Sequence, residues 1–314
     1  MTAARYTIID LGSNSFHMLT VVKQGNGFNV ASKHKQKVRL AAGLNGDKQL
    51  DQATMEKGWA CLESFRLLLD EIQPVCILIT ATAALRIAVN NQQFLNKAEK
   101  ILQYPINLIS GIQEAETIFK GVSFTENTDK ELLVLDIGGA STELVLGQGN
   151  KVHVANSLNI GCVTWLSHYF ADDLLNEYNF NNAVNAARQV ISTVKAQYVS
   201  LEWELTLGAS GTIQAVNEIN QAQQLSHHLS IELLQQIKQQ CIQCQSIKTL
   251  NVVGLEASRV PVFASGLAIL IAIFESLNIH SMQRSNGALR EGLISMMFNG
   301  QTHFNSSRLN SNSQ

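Results

Sequence analysis

Residues 132–146 read LLVLDIGGASTELVL. An apolar run, Leu132–Asp136, ends in a carboxylate. A Gly/Ser turn follows, and Glu143–Leu146 leaves it as a second β-forming run, so the segment predicts strand, turn, strand. Glycine lacks a Cβ, so backbone N–H groups at Gly138, Gly139 and Ala140 can converge on an anion, and Ser141 and Thr142 add hydroxyl donors. The same pattern stands near the N-terminus. Tyr6–Asp10 (YTIID) leads into Gly12, Ser13, Asn14 and Ser15, and Phe16–Val22 (FHMLTVV) follows. Asp10 and Asp136 lie 126 positions apart. One Gly/Ser turn at a strand end is commonplace. Two with the same frame predict two related domains facing each other across a cleft. A third turn, Gly208–Thr212 (GASGT), follows LEWELTL.

These turns exclude two familiar nucleotide folds. No GxGxxG opens a helix, and no GxxxxGK[ST] occurs. A carboxylate beside bound phosphate is repulsive unless a divalent cation joins them, so Asp10 and Asp136 imply Mg²⁺ or another divalent ion. Strand-hairpin phosphate nests on a duplicated α/β domain resemble the actin-like ATPase superfamily, the ribonuclease H-like architecture.

The segments between the turns alternate in type. FNVAS and KHKQKVRL read as a further hairpin. Trp59, Leu62, Phe65, Leu69 and Ile72 recur at helical spacing, with Asp51 as N-cap and Pro74 as terminator. Val75–Thr80 and Ile106–Ser110 read as strands; QQFLNKAEKILQ and the stretch from Glu114 to Val122 read as helices. Strands alternating with helices predict a mostly parallel sheet. The polar run Thr125–Lys130 reads as a hinge, which gives domains 1–125 and 126–300, the last helix packing back on the first domain. A polar, disordered tail is expected at 301–314. Val260–Phe274 carries no charge and reads as a buried core helix, being short for a bilayer span.

Composition narrows the function. Apolar residues make up 46%, and the 314-residue length accommodates two cores. Lys and Arg number 23 against 25 Asp and Glu, which argues against a nucleic-acid coat. No charged-then-apolar leader opens MTAARYTIID, so a soluble cytoplasmic protein without membrane attachment is expected. The odd count of five cysteines fits free thiols. Cys241 and Cys244 share one helix face and read as packing. Cys162 has no sequence-recognisable activating His, and His17 reads as a packed or exposed histidine. With no global positive field, the surface offers a long polyanion no long-range attraction.

Several charged residues have two readings. Glu114 opens a helix after a strand end, where it can serve as a general base or merely complement the helix dipole. Arg86 follows a strand and can fork phosphate oxygens or face solvent. Lys33, Lys35, Lys37 and Arg39 alternate; on one strand they share a face, either as a landing strip for phosphate or as edge protection. Arg290 lines a cleft or joins a helix salt bridge.

Taken in order, IDLGSNSFHM, KVRLAAGL, TATAALRIAVN, ISGIQEAETIFKGV, LDIGGASTELV, GCVTWL, GASGT, SGLAIL and GALREGL resemble the exopolyphosphatase / guanosine pentaphosphate phosphohydrolase family, from Tyr6 to Phe298. KVRLAAGL, GGASTEL and GCVTWL favour the guanosine pentaphosphate branch. The resemblance implies hydrolysis of a terminal phosphoanhydride, with guanosine pentaphosphate losing its 5′ terminal phosphate to give the tetraphosphate alarmone of the stringent response. Inorganic polyphosphate is the alternative substrate. It assigns Glu114 as catalytic base and Arg86 to the phosphates. It places Asp10, Asp136 and Glu143 around the metal and terminal phosphate. Gly12, Ser13, Asn14 and Ser15 match the first phosphate loop, and Gly138, Gly139, Ala140, Ser141 and Thr142 the second. Lys37, Arg39, Gly208, Ser210 and Arg290 are candidate substrate contacts. Where members often read GEEEAR, this chain has GIQEAE: Gln113 replaces an acid and Glu116 a base. The chain also ends soon after GALREGL, without the C-terminal helical region of longer members; a homodimer is compatible with the family. Two other classes stay in view: a phosphotransferase, which needs an acceptor, and a non-catalytic sensor, which binds without turnover.

Overall fold

The computed structural model describes residues 4–25 and 27–300; the predicted tail at 301–314 lies outside them. The chain divides into two units. Unit 1 runs through Ser110 and resumes at Gly292; unit 2 is Gly111–Glu291.

Unit 1 holds β1 (Arg5–Leu11), β2 (Phe16–Gln24), β3 (Gly27–Gln36), a 3-10 turn at Leu40–Gly43, α1 (Gln52–Ile72), β4 (Cys76–Ala81), α2 (Ala83–Ile87), α3 (Asn91–Leu102) and β5 (Asn107–Leu108). The sheet order is β3-β2-β1-β4-β5. β1 is antiparallel to β2 and parallel to β4. Unit 2 holds α4 (Gly111–Glu126), β6 (Glu131–Ile137), β7 (Thr142–Gln148), β8 (Lys151–Leu158), α5 (Cys162–Tyr169), α6 (Glu177–Val199), β9 (Leu205–Ala209), α7 (Gly211–Gln223), α8 (Ile231–Gln243), α9 (Val260–Leu277) and β10 (Gln283–Arg284). Its sheet order is β8-β7-β6-β9-β10. Strand for strand, the second sheet repeats the first: a central strand, an antiparallel hairpin on one side, parallel strands on the other. This is the duplicated actin-like α/β architecture expected from the two Gly/Ser turns. The final helix, α10 (Leu289–Phe298), straddles the division, and its Phe298 ring meets Tyr6 edge-on at 5.1 Å within unit 1.

The elements form where side-chain chemistry favours them. Asp51 caps α1 by accepting from the Thr54 amide at 2.7 Å and the Thr54 hydroxyl at 2.9 Å. Trp59 of α1 stacks on Phe94 of α3 at 5.8 Å and donates its indole N–H to the Phe94 carbonyl. α9 is long and apolar enough to cross a bilayer, yet every residue from Phe263 to Phe274 is buried, as the core of unit 2.

Three expectations are corrected. FNVASKHKQ is one strand, β3, not a hairpin of its own; its partner is β2. INLIS contributes only two strand residues. The division falls at Ser110, not at the polar run 125–130. The reason is α4, whose Ala115, Ile118, Phe119 and Val122 are buried and which packs on β7 and β8. Gly147 of β7 leaves the room that the Phe119 ring needs, since a Cβ there would lie 2.8 Å from it.

Asp51→Ala removes both cap bonds. It should cost about 1 kcal/mol and lower the melting temperature of unit 1 by ~2–4 °C, read by calorimetry; an unchanged transition contradicts the capping role.

Candidate active site

The second Gly/Ser turn is held by its carbonyls. The first amides of α5 take them: Cys162 N–H donates to Gly138 O at 2.9 Å, Val163 to Gly139 O at 2.9 Å, and Thr164 to Gly139 O at 3.2 Å. A trans peptide is planar, with its N–H opposite its C=O. The amides of Gly139 and Ala140 therefore point away from α5. Gly161 makes the approach possible, because a Cβ there would lie 2.4 Å from the Gly139 carbonyl and the Ala140 nitrogen. Gly138 N–H closes the turn onto Ser141 O at 2.9 Å.

The first turn follows the same rule with a different anchor. Ala41 N–H donates to Ser13 O and Arg39 N–H to Asn14 O, each at 2.9 Å. The amides of Asn14 and Ser15 therefore point away from the 39–41 segment. At Gly12 a Cβ would meet Ser15 O at 2.9 Å. The Ser13 hydroxyl oxygen accepts the Ala84 amide of α2 at 3.0 Å, so it ties the turn to that helix.

Sheet register brings charged side chains beside each turn. Residues directly opposite on neighbouring strands share a face. In unit 1 the row runs Thr80, Asp10, His17, Lys35. In unit 2 it runs Ala209, Asp136, Glu143, Ser157. Ser157 donates its hydroxyl to the buried Glu143 carboxylate at 2.7 Å. His17 and Lys35 belong to the same row as Asp10, and His17, read from sequence as packed or exposed, is half-buried. The signal was present: the 126-residue offset that joins Asp10 to Asp136 also joins His17 to Glu143.

Asp136 and Glu143 face one another as like charges, an arrangement that favours a cation. Among the described residues no three His, Cys, Asp or Glu side chains cluster as a metal-ligand set. The Asp136–Glu143 pair nonetheless fits Mg²⁺, which binds through one or two carboxylates plus substrate phosphate and water.

Glu114 sits in the first turn of α4 and is buried. Gln113 is exposed and Glu116 half-buried. At ~100° per helix residue, Glu116 projects roughly 200° around the axis from Glu114, so the added acid faces elsewhere.

The remaining candidates sort by contact. Arg86 donates from Nη1 to Ile109 O at 3.0 Å, which fixes its guanidinium. Thr142 turns its hydroxyl inward onto Ile160 O at 2.7 Å and is buried, so that hydroxyl is a structural bond and not a phosphate donor. Lys37 and Arg39 lie beyond the end of β3, so the four cations do not share one strand face; Lys33 and Lys35 do. Arg39 stands at φ 60 and builds the first turn through its backbone. Gly208 is a packing glycine, since a Cβ would lie 2.6 Å from Met282 and 2.8 Å from Ile213; it is buried and presents no surface to substrate. Ser210 stands at φ 92 at the start of α7. Arg290 is half-buried on α10.

Residues 20–300 match the family model described as the Ppx/GppA phosphatase family. The chain belongs to this family. It is 49% identical over 289 residues to a guanosine-5'-triphosphate,3'-diphosphate pyrophosphatase of Aeromonas salmonicida, covering 92% of this chain and 58% of that one. A protein of the same name from Aeromonas hydrophila is 48% identical with the same coverage. The chain thus spans under two thirds of the length of these curated relatives. Among solved structures, an exopolyphosphatase from Cytophaga hutchinsonii superposes with a TM-score of 0.85 at 23% identity, covering 94% of this chain and 98% of that one. A Ppx/GppA member from Aquifex aeolicus gives 0.75 at 22%, covering 96% and 99%. At these identities the superpositions establish the fold.

Three of the five cysteines are held as neutral thiols. Burial pushes the thiols of Cys61, Cys162 and Cys241 up to about 12. A raised thiol pKa keeps the neutral form, so at pH 8 the thiolate fraction is ~10⁻⁴. Ellman's reagent at pH 8 should modify the half-buried Cys76 and Cys244 at most; fast reaction of all five contradicts the burial. At the turn, Gly161→Ala pushes a methyl into the Gly139–Ala140 peptide. It should weaken pyrophosphate binding about tenfold or more while circular dichroism stays native; unchanged calorimetric affinity contradicts the anchoring.

Proposed function

We propose that this chain is the phosphohydrolase part of an enzyme that removes the terminal 5′ phosphate of guanosine pentaphosphate, yielding guanosine tetraphosphate and inorganic phosphate. The observation that carries the reading is the pair of turns whose amides face away from anchored carbonyls, each beside an aspartate. Backbone donors fixed in this way bind phosphate oxygens without reorganising as charge shifts in the transition state. The names of the Aeromonas relatives favour guanosine pentaphosphate over inorganic polyphosphate. The near-neutral composition agrees, because a net charge of -2 offers no long-range field for a long polyanion.

In this reading water attacks the terminal phosphorus in line, and Glu114 orients the water and accepts its proton. The bond from that phosphorus to the bridging oxygen breaks, and its electron pair stays on the departing diphosphate. In unit 2 the amides of Gly139 and Ala140 are the phosphate donors; in unit 1 those of Asn14 and Ser15 and the Arg86 guanidinium are. A divalent cation, with Asp136 and Glu143 as its holders, would supply charge neutralisation on the phosphate oxygens when bound; Asp10 is the carboxylate beside the unit 1 turn. Lys35, in the row with Asp10, adds a positive charge beside the unit 1 turn.

Two measurements test the proposal. Glu114→Gln should lower kcat ~10²–10⁴-fold with native circular dichroism; full phosphate release by the variant sinks the assignment of the base. Phosphate release is then compared on guanosine pentaphosphate, short polyphosphate and long polyphosphate, with Mg²⁺ and with chelator. Preference for guanosine pentaphosphate with loss of activity in chelator is the expected result. Preference for long polyphosphate, transfer to an acceptor, or binding without turnover overturns it.

A further inference from the structure

Arg259 belongs to none of the motifs above. We propose that it is a positioning residue for the Ser210–Thr212 turn, acting through the carbonyl of Gly211; the proposal rests on the phosphohydrolase reading.

Arg259 immediately precedes α9, and its side chain is only 14% exposed. Its Nη1 donates to Gly211 O at 2.7 Å. The nearest carboxylates stand farther off, Glu256 at 3.8 Å and Glu218 at 4.0 Å from Nε. The short bond to the carbonyl is therefore the directional one. A Cβ on Gly211 would lie 2.3 Å from Nη1, so the guanidinium occupies the room a side chain would take. Gly211 is not in the left-handed region. Space, not backbone conformation, explains the glycine.

The consequence repeats the logic of the other two turns. Holding the Gly211 carbonyl fixes the Gly211–Thr212 peptide, whose N–H must then point away from Arg259. That amide is one of the first in α7, which lack intrahelical acceptors. Ser210 does not cap them. Its own hydroxyl oxygen is buried and has no hydrogen-bond partner among the described residues. The turn leaves β9 at Ala209, the residue paired with Asp136. It is therefore next to the carboxylate of the second site row. α9 backs both turns of unit 2. Ser265 donates its hydroxyl to Cys162 O at 2.6 Å, and Gly266 admits the Thr212 side chain, since a Cβ there would lie 2.4 Å from the Thr212 hydroxyl oxygen. The Thr212 amide is thereby aimed toward the substrate from a point fixed relative to Gly138–Ser141, and the Ser210 hydroxyl marks an unmet polar group beside it. The Thr212 amide contributes to substrate binding and not to the chemical step.

Three variants test this: Arg259→Gln, Arg259→Gly and Gly211→Ala. In Gly211→Ala the methyl displaces only the flexible end of Arg259. Each should raise KM for guanosine pentaphosphate about tenfold with kcat within about threefold, the signature of lost uniform binding. The Gly211→Ala/Arg259→Gln double variant should be no worse than either single variant. Added guanidinium ion should lower the KM of Arg259→Gly and leave Gly211→Ala unchanged. Wild-type KM in the three single variants, multiplicative losses in the double variant, or absence of guanidinium rescue overturns the proposal. Should the wild-type protein not turn over the nucleotide, the phosphohydrolase reading fails by itself. The Thr212 amide is then followed by NMR during pyrophosphate titration: a shift in the wild type that is lost in Arg259→Gln upholds the positioning role, and no shift in the wild type refutes it.

Discussion

The site depends on the planarity of the peptide bond. Where a neighbouring N–H holds a turn's carbonyl, the amide of the same peptide must face the other way. At the second turn the holder is the start of α5; at the first it is the backbone at Arg39 and Ala41. At the third, the side chain of Arg259 does the same to Gly211. Each anchor thus converts a hydrogen bond on one side of the turn into a fixed donor on the other. Glycines at 12, 138, 161 and 211 occur where a Cβ would break these close approaches.

This arrangement explains how a chain with a net charge of -2 can be suited to a polyphosphorylated ligand. Fixed amides, hydroxyls and a few cations supply attraction locally, so the surface as a whole need not be basic. The carboxylates that accompany the turns are repulsive toward phosphate by themselves. Their placement in pairs across strands, Asp136 opposite Glu143, makes sense with a divalent ion completing the charge balance. In unit 1 the corresponding row substitutes His17 and Lys35. The duplication has therefore kept the backbone turn while allowing the neighbouring side chains to diverge.

Much of this was legible in residue patterns. The two strand-turn-strand segments at Asp10 and Asp136 carry the duplication, and the spacing around Trp59 and the cap at Asp51 carry α1. Other features were hidden because they depend on contacts distant in sequence. The hydroxyl of Thr142 looks like a phosphate donor until the chain places Ile160 O beside it. Gly208 looks like part of a phosphate loop until Met282 and Ile213 fill the space around it. The polar run at 125–130 looks like a boundary, but the apolar face of α4 ties that helix to the second sheet. The backbone of Arg39 anchors the first turn, which no reading of side-chain charge reveals.

The most direct measurement is a titration of ¹⁵N-labelled protein with pyrophosphate in the presence of Mg²⁺, following individual amides by NMR. The account predicts saturable shifts at Gly139 and Ala140 of unit 2 and at Asn14 and Ser15 of unit 1. Shifts confined to the exposed lysines of β3, with those four amides unmoved, would contradict it.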